Sequence, residues 1–306
     1  MRHLHTLFAS LLLSLTLVGA VQATVWVAVS EGSPDYDEIA AGIRSRLQQG
    51  ESASEVVIKP WAEVAQGVPA QVRLIVSVGS PAFVGLVDAY VSSRISRVPI
   101  VATLLPRSIF EGQRRRLSVP ATGVVLDQPA ARQMALLRYA FPHLRRVGVL
   151  FGPDSQQYQQ TFEKAAAELG LQLNAYKVDG ETNLYPALQR VLEENDVLLA
   201  IPDTAVYNGS SIQNVLLASY RQKVPMMGFS PAYVRAGAML ALYSSPAQIG
   251  SQTVRVIQSA LSGVALQPVQ VPTEFVVGVN ANVARSLGFR LSEDALRIQL
   301  QGRDSP

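Results

Sequence analysis

RVGVLFGPDS, residues 146–155, decides the fold. Arg146–Phe151 is a short apolar run with the look of a buried strand, Gly152-Pro153-Asp154 punctuates it, and the spacing beyond predicts a helix from Gln156 to Leu169. The same design stands earlier in the chain. VAVSEGSPD, residues 27–35, ends a strand read over Thr24–Ser30 and leads into a helix over Tyr36–Gln49, with Ile39, Ile43 and Leu47 on one face. The pairs Pro34-Asp35 and Pro153-Asp154 lie about 120 residues apart. Two similar α/β lobes, each opening on strand–loop–helix, produce such a repeat.

Outward from these two units, strands and helices alternate. Strands are expected at 56–59, 73–78, 98–104 and 123–126 in the first half, with a helix over 82–93. In the second half strands are expected at 171–178, 197–201, 226–229, 238–243 and 275–279. Helices are expected at 130–140, 185–193, after Thr204 to about Arg221, 246–261 and 281–287. Regular alternation of this kind implies parallel sheets covered by helices.

The N-terminus has the form of an export signal. Arg2 precedes an apolar run from Leu7 to Val18, and Val21 and Ala23 fill the two small positions of a cleavage site after Ala23. The run is too short to anchor a protein across a bilayer, no cysteine follows it for a lipid anchor, and no later stretch reaches the roughly 20 apolar residues of a membrane helix. The mature chain, 24–306, is therefore expected in the periplasm. Its length exceeds one compact core and predicts two lobes.

The chain has no cysteine and a formal net charge of +3, which becomes +2 once Arg2 is removed. Neither nucleic-acid binding nor a thiolate metal site follows from such a composition. The one dense basic run, Arg114-Arg115-Arg116, reads as a solvated loop. Of three histidines, His3 and His5 fall in the leader and only His143 remains, so a Ser-His-Asp triad would have to be built on His143. No glycine-rich phosphate loop occurs. The expectation is no catalytic residue, no metal and no cofactor.

Ligands of open α/β sheets bind at the carboxyl ends of the strands, where helix N-termini point. The polar residues standing there are Ser30 and Glu31, Gly79 and Ser80, and Thr103 in the first half. Asp154 and Ser155, Asp203 and Thr204, Ser230, and Tyr243 and Ser244 stand there in the second, with Asp127 where the chain first crosses between lobes. Hydroxyls and backbone N–H groups suit an anionic end, and Asp154 and Asp203 suit an ammonium. Helix capping is the competing role for each of the Ser, Thr and Asp residues. Tyr207, Tyr220, Tyr233 and Tyr243 are candidates to stack on a solute, and Asn208-Gly209-Ser210 is a glycosylation sequon by pattern.

VGVLFGPDS (147–155), IPDTAV (201–206), VPMMGFS (224–230), VRAGAML (234–240) and NANVARSLGF (280–289) resemble, in order and spacing, the ABC-transporter substrate-binding proteins of the tryptophan/tyrosine type. VGSPA (78–82), VPIVATLL (98–105) and TGVVLD (122–127) match that family more loosely. TLLPRS (103–108) and LYSSPAQIG (242–250) depart from it, both at ligand positions.

The resemblance implies a type I periplasmic-binding fold: two Rossmann-like α/β lobes with parallel sheets, joined by a three-segment hinge, closing on a ligand. Lobe I would comprise 24–125 and 245–272, and lobe II 126–244 and 273–306. The contacts carried over are Ser80, Asp154, Ser155, Asp203, Thr204 and Ser230. The function implied is capture of a small polar solute, an amino acid or related compound, for an ABC permease in the inner membrane, by a monomer. The alternative is a sensory protein presenting its solute state to a membrane receptor or kinase.

Overall fold

Strand and helix alternate through the whole chain, as its periodicity requires. A computed structural model describes residues 23–49, 54–95, 97–179 and 181–304; the expected leader lies, Ala23 apart, outside the described residues. The first half folds as β1 (Thr24–Val29), α1 (Pro34–Leu47), β2 (Glu55–Pro60), α2 (Trp61–Val64), β3 (Val72–Val78), α3 (Ser80–Val91), β4 (Ile100–Thr103), α4 (Arg107–Arg114) and β5 (Ala121–Val124). The second half begins with α5 (Ala130–Ala140), β6 (Arg146–Phe151), α6 (Gln159–Ala167), β7 (Gln172–Lys177), α7 (Glu181–Glu194), β8 (Val197–Leu199) and α8 (Ile212–Arg221). It continues as β9 (Met226–Gly228), α9 (Pro231–Ala236), β10 (Leu240–Tyr243), α10 (Pro246–Leu261), β11 (Val276–Val279), α11 (Ala281–Ser286) and α12 (Glu293–Asp304).

Two sheets result, ordered β2-β1-β3-β4-β5 and β11-β10-β9-β8-β6-β7. Every pairing is parallel except β10 with β11, so the all-parallel expectation needs correcting at that one edge. Read from the other end, the second sheet runs β7-β6-β8-β9-β10, which repeats the order of the first. The repeat seen between VAVSEGSPD and VGVLFGPD is thus a repeat of topology: β1 and β6 hold the same place, beside the point where strand order reverses.

Strand periodicity builds the cores. Val25, Val27 and Val29 of β1 pack with Ile39 and Ile43 of α1 and Ile249 and Ile257 of α10, while Ala28 faces Phe83 and Leu86 of α3 on the opposite side. In the second sheet α5, α6, α11 and α12 cover one face and α7, α8 and α9 the other. Each fully buried aliphatic side chain contributes about 1.5–3 kcal/mol relative to exposure.

The chain passes between the sheets three times: between Val124 and Ala130, between Tyr243 and Pro246, and between Gln270 and Val276. Helix α10 follows the second passage and packs on α1 of the first sheet. Its start is specified by a capping box, in which the Ser245 hydroxyl accepts from Gln248 N and the Gln248 side chain accepts from Ser245 N. The third passage begins where Gln270 lies beside Val124 as a parallel bridge.

Several local expectations are corrected. Helices α2, α4, α9 and α12 were not foreseen. Arg114 is not in a loop but ends α4, and Arg116 pairs with Asp88 at 2.7 Å. The helix expected at 156–169 opens as a 3-10 turn over Gln156–Tyr158. The segment after Thr204 coils until Ile212, because Asn208 Oδ1 accepts from Ser210 N and Ser211 N and holds a turn there.

Candidate functional site

The carboxyl ends of β1, β3 and β4 in one lobe and of β6, β8 and β9 in the other carry the loops that bound the interlobe cleft. In the first lobe, the Ser30 hydroxyl accepts from Ala82 N at 2.9 Å and so caps α3 from a neighbouring strand. Ser80, the first residue of α3, is left half-buried with its hydroxyl uncommitted among the described residues. Gly79 has φ +89°, and a Cβ there would stand 2.8 Å from both Ser30 Oγ and the Tyr36 ring. Only glycine lets Tyr36, which the sequence reading passed over, lie against the β3–α3 turn. Glu31 is exposed beside it.

In the second lobe two bridges lace the β6 and β8 loops. Asp203 Oδ2 accepts from Ser155 N at 2.9 Å and from Ser155 Oγ at 2.7 Å, and its Oδ1 accepts from Ala205 N at 3.1 Å. Asp154 Oδ2 accepts from Thr204 Oγ1 at 2.8 Å and from Thr204 N at 3.3 Å. A Cβ on Gly152 would stand 2.3 Å from Asp203 Oδ1, so the close approach of the two loops requires glycine.

The sequence-derived candidates therefore separate. Asp203 and Ser155 are buried and bonded to one another. Asp154 and Thr204 are paired nearer the surface, the one half-buried and the other exposed, and Asp154 keeps its Oδ1 free of chain partners among the described residues. Ser230 stands half-buried before α9 without a side-chain capping bond. Thr103 is 0% exposed and shares a 2.9 Å hydrogen bond with Thr253 of α10, which turns it into the lobe core and away from the cleft surface. Tyr243 is half-buried beside Gly278 on β11. Tyr207 and Tyr233 pack with Phe229 as an aromatic cluster inside the lobe, and Tyr220 is exposed on α8; none of these three stacks into the cleft. His143 precedes β6 and so lies at the far, amino end of its sheet.

Asp127, expected where the chain first crosses between lobes, meets Arg107 and Glu111, neither of them among the expected contacts. Asp127 Oδ2 accepts from Arg107 N at 2.6 Å at the start of α4. Burial pushes the Asp127 carboxyl above its ordinary range, against the opposing pull of the Arg107 N–H and guanidinium. Arg107 ion-pairs with Glu111 at 3.4 Å, and Tyr158 of the other lobe donates to Glu111 Oε2 at 2.9 Å. Burial and the Glu111 charge raise the Tyr158 pKa, so the phenol stays a donor. Arg107, Asp127 and Tyr158 border a cavity of about 70 Å³ between the lobes, whose wall also includes Gln133, Ser155 and Phe162. Helix α4 was invisible to periodicity because Phe110 is its one buried residue.

The three passages between lobes are tied together. Gln128 Nε2 donates to Ser244 Oγ at 2.8 Å, and Ser244 Oγ donates in turn to the Glu274 carbonyl. Arg132 Nη1 donates to Gln128 Oε1 and to the Pro272 carbonyl, each at 2.9 Å. One hydrogen-bonded network, buried at Arg132, thus ties all three passages of the hinge together.

Among the described residues no group of three or more His, Asp or Glu is placed to hold a metal ion, and no helix is long and apolar enough to cross a membrane.

The fold matches solved structures over nearly its whole length. A conserved domain protein from Vibrio cholerae is 23% identical (90% of this chain, 97% of that chain, TM-score 0.62). An ABC domain from Streptococcus pneumonia in complex with L-Trp is 21% identical (90% and 97%, TM-score 0.62). A ligand-free, open substrate-binding protein with adhesive properties from Clostridium difficile is 16% identical (89% and 97%, TM-score 0.67). No curated protein sequence matches the chain. The architecture is that of a type I periplasmic-binding protein, two α/β lobes on a three-segment hinge. The family described as ABC transporter substrate binding protein matches residues 40–301, and the chain belongs to that family.

Proposed function

We propose that the chain is the periplasmic receptor of an ABC importer, a monomer whose lobes close on a small solute bearing a cationic nitrogen, an amino acid or related amine, and present it to a membrane permease. The charge balance of the cleft carries this reading. Against the guanidinium of Arg107 stand the carboxylates of Glu31, Glu111, Asp154 and Asp203. A solute that brings positive charge offsets that excess, and burial from water strengthens the pairing.

Each group has a place in the clamp. Asp154 offers its free Oδ1 to an ammonium, and Asp203 adds its charge from behind while holding Ser155. Ser80, Ser230 and Thr204 supply hydroxyls, and Arg107 is placed for the solute's anionic end. The cavity of about 70 Å³ is far below the few hundred Å³ of ordinary small-molecule sites, so a solute enters by parting of the lobes. Hinge closure then makes the ligand part of the lobe interface, the state a permease distinguishes.

A thermal-shift panel tests the assignment. At a hundredfold excess over Kd, binding adds about 2.7 kcal/mol to stability, which raises Tm by several degrees. The expected result is a shift with free α-amino compounds that disappears on N-acetylation and in Asp154→Asn. A shift with neutral sugars, and none with amines, would overturn it.

A further inference from the structure

At the amino ends of β3 and β4, on the side of the first lobe away from the cleft, the surface sinks into an open basin of about 980 Å³. Arg73, Arg94 and Arg97 line it together with Pro99, Ala260 and Gly263, and among the described residues no acidic one does. Arg73 and Arg97 have no hydrogen-bond or ion-pair partner among the described residues; Arg94 spends only its Nε, on Ser92 Oγ at 3.0 Å. Elsewhere the surface arginines with nearby acids use them, as Arg116 with Asp88 and Arg146 with Asp196.

Arginines also serve to complement the negative carboxyl ends of helices. Helices α3 and α10 both end at this basin, at Val91 and Leu261. Each helix end supplies roughly half a negative charge. Together they offset about one of the three positive charges, which leaves an excess near two. The loop bearing Arg94 and Arg97 is also not relaxed: Ser93 and Arg97 hold φ of +58° and +63°, a left-handed backbone that non-glycine residues adopt at a cost. That conformation puts the two arginines on the rim where Arg73 of β3 projects.

We propose that this basin is a second binding site, for a multivalent phosphate-bearing anion, separate from the solute cleft. Guanidinium groups match phosphate oxygens through paired hydrogen bonds, and three of them in one concavity fit an anion of charge two or more better than a single carboxylate. The proposal does not rest on the identity of the cleft solute.

The test is titration calorimetry of the purified protein with inorganic pyrophosphate, alongside co-sedimentation with vesicles of cardiolipin in phosphatidylcholine and of phosphatidylcholine alone. Pyrophosphate is expected to bind one per chain, more weakly as salt rises, and Arg73→Gln and Arg97→Gln are each expected to weaken it about ten-fold. Both side chains are exposed, so folding is expected to survive, as far-ultraviolet circular dichroism would verify. Lys164→Gln, on the other lobe, is expected to bind as the parent does. Sedimentation with the cardiolipin vesicles but not with phosphatidylcholine alone, lost in the same variants, would identify the phosphate as a lipid headgroup. Absence of both pyrophosphate and vesicle binding overturns the proposal. So does affinity unchanged in the Arg73 and Arg97 variants, or binding lost in Arg107→Gln alone, which would put the anion in the cleft.

Discussion

Tyr158 of the second lobe donates its hydroxyl to Glu111 Oε2 of the first at 2.9 Å, across the mouth of the interlobe cavity. Arg107 holds Glu111 from the other side at 3.4 Å, and the Arg107 N–H holds Asp127 at the hinge. The bond is thus a clasp between two bodies that are otherwise joined through three chain passages.

A clasp of one hydrogen bond is worth about 0.5–1.5 kcal/mol, enough to bias an open–closed equilibrium and too little to lock it. Tyr158→Phe keeps the ring and removes the donor. Its ligand-free radius of gyration by small-angle scattering is expected to exceed that of the parent, with solute affinity reduced severalfold.

Gly152→Ala is expected to be far more damaging than its single methyl suggests. The new Cβ meets the Asp203 carboxylate at 2.3 Å, so the β6 and β8 loops must part and Ser155 loses its acceptor. A loss of about 1–3 kcal/mol in chemical denaturation is expected, with solute binding lost as well. Gly209→Ala, where nothing lies within 4 Å of the added atom, is the control that leaves binding intact.

Much of this fold was legible in the sequence because its strands are short apolar runs bounded by Gly and Pro. Helices α5 and α10 were located to the residue, since Pro129 and Ser245-Pro246 mark their starts and the apolar face does not lapse before their ends. The parallel topology followed from alternation, while the antiparallel β11 did not, since nothing local records which neighbour a strand chooses. The polar helix α4 lacks an apolar stripe, so Arg107 and Glu111 were invisible as cleft residues. Strand ends located Asp154, Ser155, Asp203 and Thr204, but not that they bond in pairs across two loops 48 and 50 residues apart.

Asp127 sets a pH dependence. Its folded-state pKa lies above the ordinary 3.8 because burial disfavours the charged form. The native state therefore holds the proton where the unfolded chain has released it, and stability falls as pH rises through the window between the two values. Asp127→Asn, which keeps an oxygen for the Arg107 N–H, is expected to flatten that slope in denaturation curves collected from about pH 4 to pH 7. A slope as steep in the variant as in the parent would assign it to another group.

Gln252 of α10 spans the third passage. Its Nε2 donates to Gln270 Oε1 and to the Val271 carbonyl, each at 3.0 Å, and its Oε1 accepts from Thr273 N at 2.9 Å. Gln252→Ala strands these buried partners at a cost of about 1–3 kcal/mol. The expected signature is a lower denaturation midpoint together with a broader distribution of interlobe distances.

Lobe closure on solute is the central claim, and the absence of cysteine makes it directly measurable. Arg115→Cys on the first lobe and Gln160→Cys on the second, both exposed positions, accept a spin-label pair in an otherwise thiol-free chain. Pulsed electron–electron resonance is expected to show a short and a long distance without solute. Saturation with a compound that raises Tm should collapse them to the short one. A distance distribution unchanged by such a compound would contradict the account.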